Sequence, residues 1–266
     1  MRASSASVTA PLQCLPTLEL DGAWQMALDD WMLEQRQPLL RLYRWRRPTL
    51  SLGRHQSRIA SHWLDLARSG ALDLVRRPTG GRAVLHGGDL TYALVWPDAA
   101  GRREEVYRQA CRWLQEAFAA LGQPLDFGRR LAQGQHASCF ALSTAADLVH
   151  RDGSKRIGSA QYWRQGCLLQ HGSIQLRPSQ LLWRKLFQAP PPPLATLPLT
   201  DAELEQALLT SMRRWLPIAA AGVVPVDLGS LPLAAISRRA AQFQLAFASP
   251  DATMERTTGA SASPKG

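Results

Sequence analysis

Hydrophobic periodicity along the chain predicts an alternation of helices and strands. Apolar residues recur at helical spacing over 22–36, with Asp21 as the N-cap, and alternate with polar residues over 39–45 as in a strand. The same reading predicts strands at 49–52, 72–76, 82–86, 89–96, 146–149, 155–162 and 167–176, and helices at 59–68, 103–121, 201–216 and 231–247. This order favours an α+β fold with a mixed, mostly antiparallel sheet flanked by helices.

Composition divides the chain into four parts. Residues 1–18, with several Ser, Ala and Thr, predict an irregular lead-in, and residues 19–217 carry the regular patterns of one main domain. Residues 218–248 predict a short C-terminal extension. Residues 249–266 are rich in Ser, Thr, Ala, Pro and Gly, so we expect a disordered tail there.

The charge of the chain points to acidic partners. Lys and Arg number 31 against 21 Asp and Glu, a formal net charge of +10. Nucleic acid is not the expected partner, because the sequence shows no zinc finger and no strand that interleaves aromatic and basic residues. No apolar run approaches the roughly 20 residues of a membrane span, so we expect no membrane association.

The four cysteines are Cys14, Cys111, Cys139 and Cys167. None lies at C-x-x-C spacing, so we expect no metal site and no redox dithiol. The first residues lack the continuous apolar segment of a signal peptide, so we expect a cytoplasmic protein. Cys139 differs from the other three because it follows His-Ala-Ser in an irregular segment, where burial is not obvious.

Two glycine pairs, Gly80-Gly81 and Gly87-Gly88, flank a short apolar strand in the segment from Arg76 to Tyr92. Glycine pairs occur where the backbone needs a positive φ or lets another group approach closely. Such a loop can offer backbone N–H groups and fixed cations to an anion or an acyl carbonyl. The same pairs also fit two tight hairpin turns, and the residues alone leave both interpretations open.

Four ordered motifs resemble the biotin/lipoate protein ligase superfamily, and within it the lipoate–protein ligases and octanoyltransferases. They are Arg-Arg-x-Thr-Gly-Gly-Arg-Ala-Val-x-His from Arg76, Asp-Leu-Thr-Tyr from Asp89, Lys-x-x-Gly-Ser-Ala-Gln from Lys155, and Gln-His-Gly-Ser from Gln170. The resemblance spans roughly residues 20 to 215. It implies that the main domain is a catalytic domain of the class II aminoacyl-tRNA synthetase and biotin ligase type.

The resemblance also implies catalytic residues. In the octanoyltransferases of this fold a Ser-Cys-Phe segment carries the reactive thiol, which here is Cys139, and the lysine of the Gly-Ser-Ala-Gln strand, here Lys155, is its partner. A thiolate is the reactive form of cysteine, and it needs a nearby cation or base because free cysteine has a pKa of about 8.5. The alternative for Cys139 is a small buried apolar residue.

The same likeness implies a substrate site built around the glycine loop. His86 and His171 are expected to brace the acyl cavity, and Ala83 and Val84 to form part of its apolar wall. Arg77 and Arg82 are expected either to pair with Asp89 or to contact a phosphate of the carrier's prosthetic arm or of a nucleotide. The full expected set of substrate-binding residues is Arg77, Gly80, Gly81, Arg82, Ala83, Val84, His86, Gly158, Ser159, Ala160, His171 and Gly172.

Three functions follow from the resemblance. The first is a transferase that needs no cofactor and moves an octanoyl or lipoyl group from an acidic acyl carrier protein, through Cys139, to a lysine of a lipoyl domain. The second is an ATP- and Mg-dependent lipoate or biotin ligase, and the third is a non-enzymatic relative that binds acyl carriers. Ligases tend to have an Arg-Asn-Asp stretch before the catalytic lysine, whereas this chain has Thr144-Ala145-Ala146-Asp147. They also carry a larger C-terminal domain, and both differences favour transfer.

Overall fold

A computed structural model describes residues 10–128 and 147–245. Its strands are β1 (Leu12–Leu20), β2 (Leu39–Trp45), β3 (Thr49–Leu52), β4 (Asp73–Arg76), β5 (Val84–His86), β6 (Asp89–Trp96), β7 (Asp126–Phe127), β8 (Asp147–Val149), β9 (Lys155–Arg164), β10 (Cys167–Gln175) and β11 (Val223–Pro225). Its α-helices are α1 (Gly22–Gln35), α2 (Ser61–Arg68), α3 (Arg103–Ala120), α4 (Gln180–Phe187), α5 (Asp201–Trp215) and α6 (Leu233–Phe243).

The strands form two sheets. The larger has the order β11-β1-β2-β6-β10-β9-β8-β7, and the smaller has the order β4-β3-β5. Pairing is parallel where β1 meets β2 and β11 and where β3 meets β4, and it is antiparallel in the other pairs. The predicted fold class, α+β with a mixed and mostly antiparallel sheet flanked by helices, is therefore confirmed.

Both faces of the large sheet are covered by helices. Successive side chains of a strand point to opposite sides, so each strand contributes apolar residues to both faces. In β2, Leu40 and Leu42 pack with α3 and α5, whereas Leu39 and Tyr43 pack with α1 and α6. The small sheet forms a third apolar cluster with α2 and α4. It lies beside the second face of the large sheet, which is the face that packs with α1 and α6, and it carries the glycine loop between β4 and β5.

Several elements differ from the sequence-based prediction. The lead-in predicted to be irregular over 1–18 contains most of β1, whose Leu12 and Leu15 are buried. This strand forms because β2 and β11 pair with it on both sides, which local composition does not reveal.

Helix α4 is absent from the sequence-based prediction. It begins at Ser179, whose hydroxyl accepts a hydrogen bond from the Leu182 N–H, and its turns bury Trp183 and Leu186.

The region predicted as a C-terminal extension packs onto the main domain. Strand β11 adds to the edge of the large sheet, and α6 packs against α1. The last predicted helix, 231–247, is shorter in the structure, where α6 spans Leu233–Phe243. The predicted tail at 249–266 lies outside the described residues. In the parts of the chain that the structure describes, no helix has the length and apolar character needed to cross a bilayer.

Candidate functional site

A cavity of about 510 Å³ lies between the glycine loop and the second face of the large sheet. Eleven of the twelve predicted substrate-binding residues line it: Arg77, Gly80, Gly81, Arg82, Val84, His86, Gly158, Ser159, Ala160, His171 and Gly172. Ala83 is not among the lining residues, and its buried side chain belongs to the core of the small sheet. The structure thus places Ala83 apart from the other eleven residues of the predicted set.

Arg77 holds the glycine loop in shape from within. Its side chain is buried, and its Nη2 donates to the carbonyl oxygens of Gly80 and Arg82 at 2.7 and 2.8 Å. Its Nη1 donates to the carbonyl of Ser51 at 2.8 Å, which fastens the loop to β3. Arg77 thus organises the loop backbone, a role that neither of its two predicted alternatives includes.

The loop also depends on Gly53, which follows β3. A Cβ atom at Gly53 would lie 1.9 Å from the carbonyl oxygen of Gly81, so only glycine allows the two backbones to come this close. Gly81 itself has φ +97°, in the left-handed region that favours glycine. Gly80 has no neighbouring atom within 4 Å of the position of a Cβ atom, so its side faces open space.

His86 lies in a chain of polar groups at one side of the cavity. Its Nδ1 is 2.8 Å from Asp89 Oδ2, and its Nε2 is 2.9 Å from the hydroxyl oxygen of Ser51. The imidazole also stacks on Trp45, with ring centroids 4.0 Å apart. Asp89, predicted as a partner of the loop arginines, is instead the partner of His86. Burial raises the pKa of Asp89, but His86 and the hydrogen-bond donors around the carboxylate, Ser173 among them, lower it by more. The pKa of Asp89 therefore lies below its ordinary value.

His171 connects the sheet to the glycine loop. Its Nδ1 is 2.8 Å from Asp29 Oδ2, and its Nε2 is 2.6 Å from the hydroxyl oxygen of Thr79. Burial lowers the pKa of His171 below its ordinary value, although Asp29 opposes this shift. A neutral imidazole can donate from Nδ1 to Asp29 and accept at Nε2 from Thr79, which satisfies both partners.

Asp29 is held in turn by Arg41, whose Nη2 lies 2.6 Å from Asp29 Oδ1. Both side chains are almost completely buried. Burial raises the pKa of Asp29, but the Arg41 guanidinium and His171 outweigh it, so the pKa lies below its ordinary value. The carboxylate therefore stays charged at neutral pH, and it fixes the orientation of His171.

Strands β9 and β10 form the floor of the cavity. Gly158 pairs with Ser173, and Ala160 pairs with His171, so small residues of β9 lie beside polar residues of β10. A Cβ atom at Gly172 would lie 2.4 Å from the Ser159 hydroxyl oxygen and 2.6 Å from the Tyr92 ring. Since these contacts leave no room for a side chain, only glycine fits at this position of the wall.

Lys155 forms a buried ion pair next to the cavity. Its Nζ lies 2.8 Å from Asp147 Oδ1, and Asp147 lines the cavity. The two side chains are only 3% and 4% exposed. The predicted catalytic lysine is thus held by a carboxylate at the edge of the cavity. The predicted nucleophile, Cys139, lies outside the described residues.

Residues 21–193 match the family described as the lipoyl protein ligase A/B catalytic domain. The chain belongs to this family. The resemblance read from the four sequence motifs is therefore confirmed for its lipoate branch. The match covers the glycine loop, the polar chains of His86 and His171, and the Lys155–Asp147 pair, so all of these are parts of a lipoyl protein ligase A/B domain.

Similar relatives include octanoyltransferases. The chain is 39% identical over 162 residues to octanoyltransferase LipM of Symbiobacterium thermophilum, a match that covers 58% of this chain and 59% of that protein. It is 36% identical over 180 residues to octanoyltransferase LipM of Oceanobacillus iheyensis, covering 64% of this chain and 66% of that protein. The chain thus spans less than two thirds of the length of these relatives.

Solved structures share the fold. A lipoate protein ligase-like protein from T. acidophilum with bound lipoic acid superposes with a TM-score of 0.70 at 18% identity, covering 87% of this chain and 93% of that one. A bipartite lipoate protein ligase of an archaeal lipoylation system, studied with its E2 lipoyl domain from Thermoplasma acidophilum, gives 0.63 at 17% identity, covering 88% and 91%. These similarities support the lipoyl protein ligase A/B architecture.

Several residues of this lipoyl protein ligase A/B site were not predicted. They are Met26, Tyr43, Trp45, Ser51, Thr91, Tyr107, Asp147, Gln161 and Ser173. Ser51, Thr91 and Ser173 are polar residues within buried strands, and a polar residue at a buried strand position was the available signal. Tyr107 gave no such signal, because its helix α3 has an ordinary amphipathic pattern. Among the described residues no cluster of three His, Cys, Asp or Glu side chains could hold a metal ion.

Proposed function

We propose that this protein is an acyltransferase of lipoate metabolism. It moves an octanoyl group from an acyl carrier protein, through a thioester on Cys139, to a lysine of a lipoyl domain. The observation that carries the proposal is the cavity beside a buried Lys155–Asp147 pair, in a chain that is 39% identical over 162 residues to an octanoyltransferase LipM.

The cavity suits a medium acyl chain. Its volume of about 510 Å³ is in the usual range of small-ligand sites, roughly 300–1,000 Å³. Met26, Trp45 and Val84 offer it apolar surface. Burial of a methylene group contributes about 0.8 kcal/mol, so the acyl chain can supply most of the binding free energy of the donor.

The reaction has two acyl transfers. In the first, the Cys139 thiolate attacks the thioester carbonyl of the octanoyl donor, the bond to the carrier sulfur breaks, and the carrier thiol leaves with a proton. In the second, the amine of the acceptor lysine attacks the Cys139 thioester, an amide bond forms, and Cys139 leaves as a thiolate. The amine loses one proton in this step, so a base must accept it.

Lys155 supplies the charge and the proton transfers in this scheme. Paired with Asp147, its ammonium group is held at the cavity edge, where it stabilises a thiolate or an oxyanion. It then gives its proton to the departing carrier sulfur, and the resulting amine can accept the proton that the acceptor lysine loses. A lysine can do this because its amine titrates, whereas arginine stays protonated.

The proposed partners are acidic proteins. The formal net charge of +10 favours an acidic acyl carrier protein, and a ligase of the same fold has been studied with its E2 lipoyl domain. The described cysteines, Cys14, Cys111 and Cys167, are free thiols. This supports a cytoplasmic location, where thiols stay reduced and a cysteine nucleophile remains usable.

The test is transfer by the purified protein from octanoyl-carrier protein to an apo lipoyl domain, with and without ATP and Mg²⁺. We expect transfer without ATP and an octanoyl adduct on Cys139 in mass spectra. Cys139→Ser should abolish both, whereas Cys14→Ser, outside the cavity, should keep both. Activity that requires free octanoate and ATP, and that persists in Cys139→Ser, would contradict the proposal and favour the ligase.

A further inference from the structure

A second pocket, of about 300 Å³, lies on the other side of the glycine loop. It shares Arg77 with the acyl cavity, and the segment that precedes the glycine pair forms the wall between them. The end of α6 closes the pocket from the opposite side. The acyl-transfer scheme above makes no use of this space.

The pocket is cationic. Among the described residues that line it, four are arginines, Arg54, Arg76, Arg77 and Arg164, and one is an acid, Asp30. The Asp30 carboxylate is already paired with Arg164 at 3.3 Å and with Arg239 at 2.9 Å. The charge that faces the pocket is therefore positive, which favours an anionic ligand.

Two of the arginines have groups that a ligand can use. Arg164 Nη2 is buried and finds no hydrogen-bond acceptor in the described part of the chain. A buried donor without an acceptor is unfavourable, and an anion or a water molecule in the pocket would satisfy it. Arg54 is exposed and its guanidinium lies 4.9 Å from the centre of the Tyr162 ring, so its N–H groups remain at the pocket mouth.

Strand β9 connects this pocket to the reactive end of the cavity. Gly158, Ala160 and Tyr162 lie on one face of the strand by alternation, the first two in the acyl cavity and the third in the cationic pocket. Gly158 pairs with Asp147, the partner of Lys155. Tyr162 is four residue steps along the strand from Gly158, a distance of about 13 Å at roughly 3.3 Å per residue.

We propose that this pocket binds the phosphate of the phosphopantetheine arm of the acyl donor, with Arg54 and Arg164 as its principal ligands. The arm between thioester and phosphate has about the length of four extended residues, roughly 14 Å. From a thioester beside Gly158, where Asp147 holds the Lys155 ammonium group, the arm can therefore reach along β9 to Tyr162 in the pocket. This inference rests on the proposed function, since it assumes an acyl donor with its thioester at Lys155.

Binding of unreactive donor analogues tests the inference. The probes are the S-octyl thioethers of 4′-phosphopantetheine and of pantetheine, which differ only in the phosphate, and AMP as a nucleotide phosphate. We expect calorimetry to show that the wild-type protein binds the phosphorylated thioether at least about 10-fold more tightly. In Arg54→Gln/Arg164→Gln this preference should fall below about 2-fold, with the Kd of the pantetheine thioether unchanged.

The matched control is Arg108→Gln/Arg112→Gln on α3. These two arginines also pack on aromatic rings and pair with acids of their own helix, and they lie outside the pocket. This control loses the same charge and should keep the preference. If the double variant does not fold, the single variant Arg54→Gln, at an exposed residue, replaces it in the test. This variant should lower the preference for the phosphorylated thioether severalfold.

Three results would overturn the inference: no phosphate preference in the wild type, a preference that survives in the pocket variants, or an equal loss in the α3 control. AMP binding as tight as that of the phosphorylated thioether, and lost in the pocket variants, would assign the pocket to a nucleotide and overturn it too. The thioethers cannot transfer an acyl group, so a failure of octanoyl transfer would contradict the proposed function without deciding this test.

Discussion

Lys155 Nζ lies 2.8 Å from Asp147 Oδ1, and both side chains are almost fully removed from solvent. Two charges are costly to bury, and each of them is tolerated here because the other compensates it. The pair joins the start of β9 to β8 at the edge of the cavity. It therefore supports the local structure and, in the proposed function, places the ammonium group for acyl transfer.

Asp147→Asn should destabilise the protein, because it leaves the Lys155 charge buried without its compensating carboxylate. Removal of one partner of a buried pair typically costs about 3–5 kcal/mol of the free energy of unfolding. Urea denaturation measures this loss. The matched control is Asp65→Asn, which breaks the exposed pair of Asp65 with Arg68 and should cost less than about 1 kcal/mol. Equal losses in both variants would contradict the structural role of the buried pair.

Lys155→Arg should reduce octanoyl transfer by at least about 100-fold, the lower range for a positioned acid–base group. The guanidinium keeps the positive charge beside Asp147 but cannot lose a proton, and its planar shape differs from that of the ammonium group. The measurement is kcat for transfer to the lipoyl domain. Lys185→Arg, on the exposed side of α4, is the matched control and should transfer at the wild-type rate. A wild-type rate in Lys155→Arg would show that Lys155 is not catalytic.

Local patterns predicted the helices and strands whose partners are near in sequence or whose periodicity is long. Helix α3 and the β9–β10 hairpin are such elements, and the sequence motifs identified eleven of the residues that line the cavity. Strand β1 was missed because its order comes from β2 and β11, the latter about 200 residues away. Pairing at such a distance leaves no local signature.

The polar network of the site was predictable only in part. The motifs identified His86 and His171, but their partners Ser51 and Asp29 come from distant parts of the chain. Residue types offered Asp89 as one of two possible partners for Arg77 and Arg82, whereas in the structure Asp89 pairs with His86. Which polar groups pair inside a core depends on the three-dimensional packing of several elements, and a single sequence records only which groups are available.

Gly53→Ala should disrupt the glycine loop, because its Cβ atom would lie 1.9 Å from the Gly81 carbonyl oxygen. We expect a loss of about 1–3 kcal/mol in the free energy of unfolding, as for other overpacking substitutions, and a raised KM for the octanoyl donor. Gly80→Ala is the matched control, since no atom lies within 4 Å of its added Cβ. Its stability should change by less than about 1 kcal/mol. Similar losses in the two variants would refute the close approach of Gly53 to the loop.

The buried His171 predicts a pH dependence of stability. Burial lowers its pKa below the ordinary value of 6.5, so below about pH 6.5 the unfolded chain takes up a proton that the folded protein excludes. The free energy of unfolding should therefore decrease as the pH falls from 7 to 5, by at most about 1.4 kcal/mol per pH unit from this residue. His150, whose pKa burial also lowers, adds a decrease of the same sign, whereas the lowered pKa of Asp29 acts only in more acidic solution, below about pH 4.

His171→Asn separates these contributions, because its amide can still donate to Asp29 but does not titrate. Urea denaturation at several pH values should give a smaller decrease between pH 7 and 5 in this variant than in the wild-type protein. The matched control is His55→Asn at an exposed residue, which should keep the wild-type slope. Parallel pH profiles for His171→Asn and the wild type would mean that the His171 pKa is alike in the folded and unfolded states. The imidazole would then not be held neutral between Asp29 and Thr79.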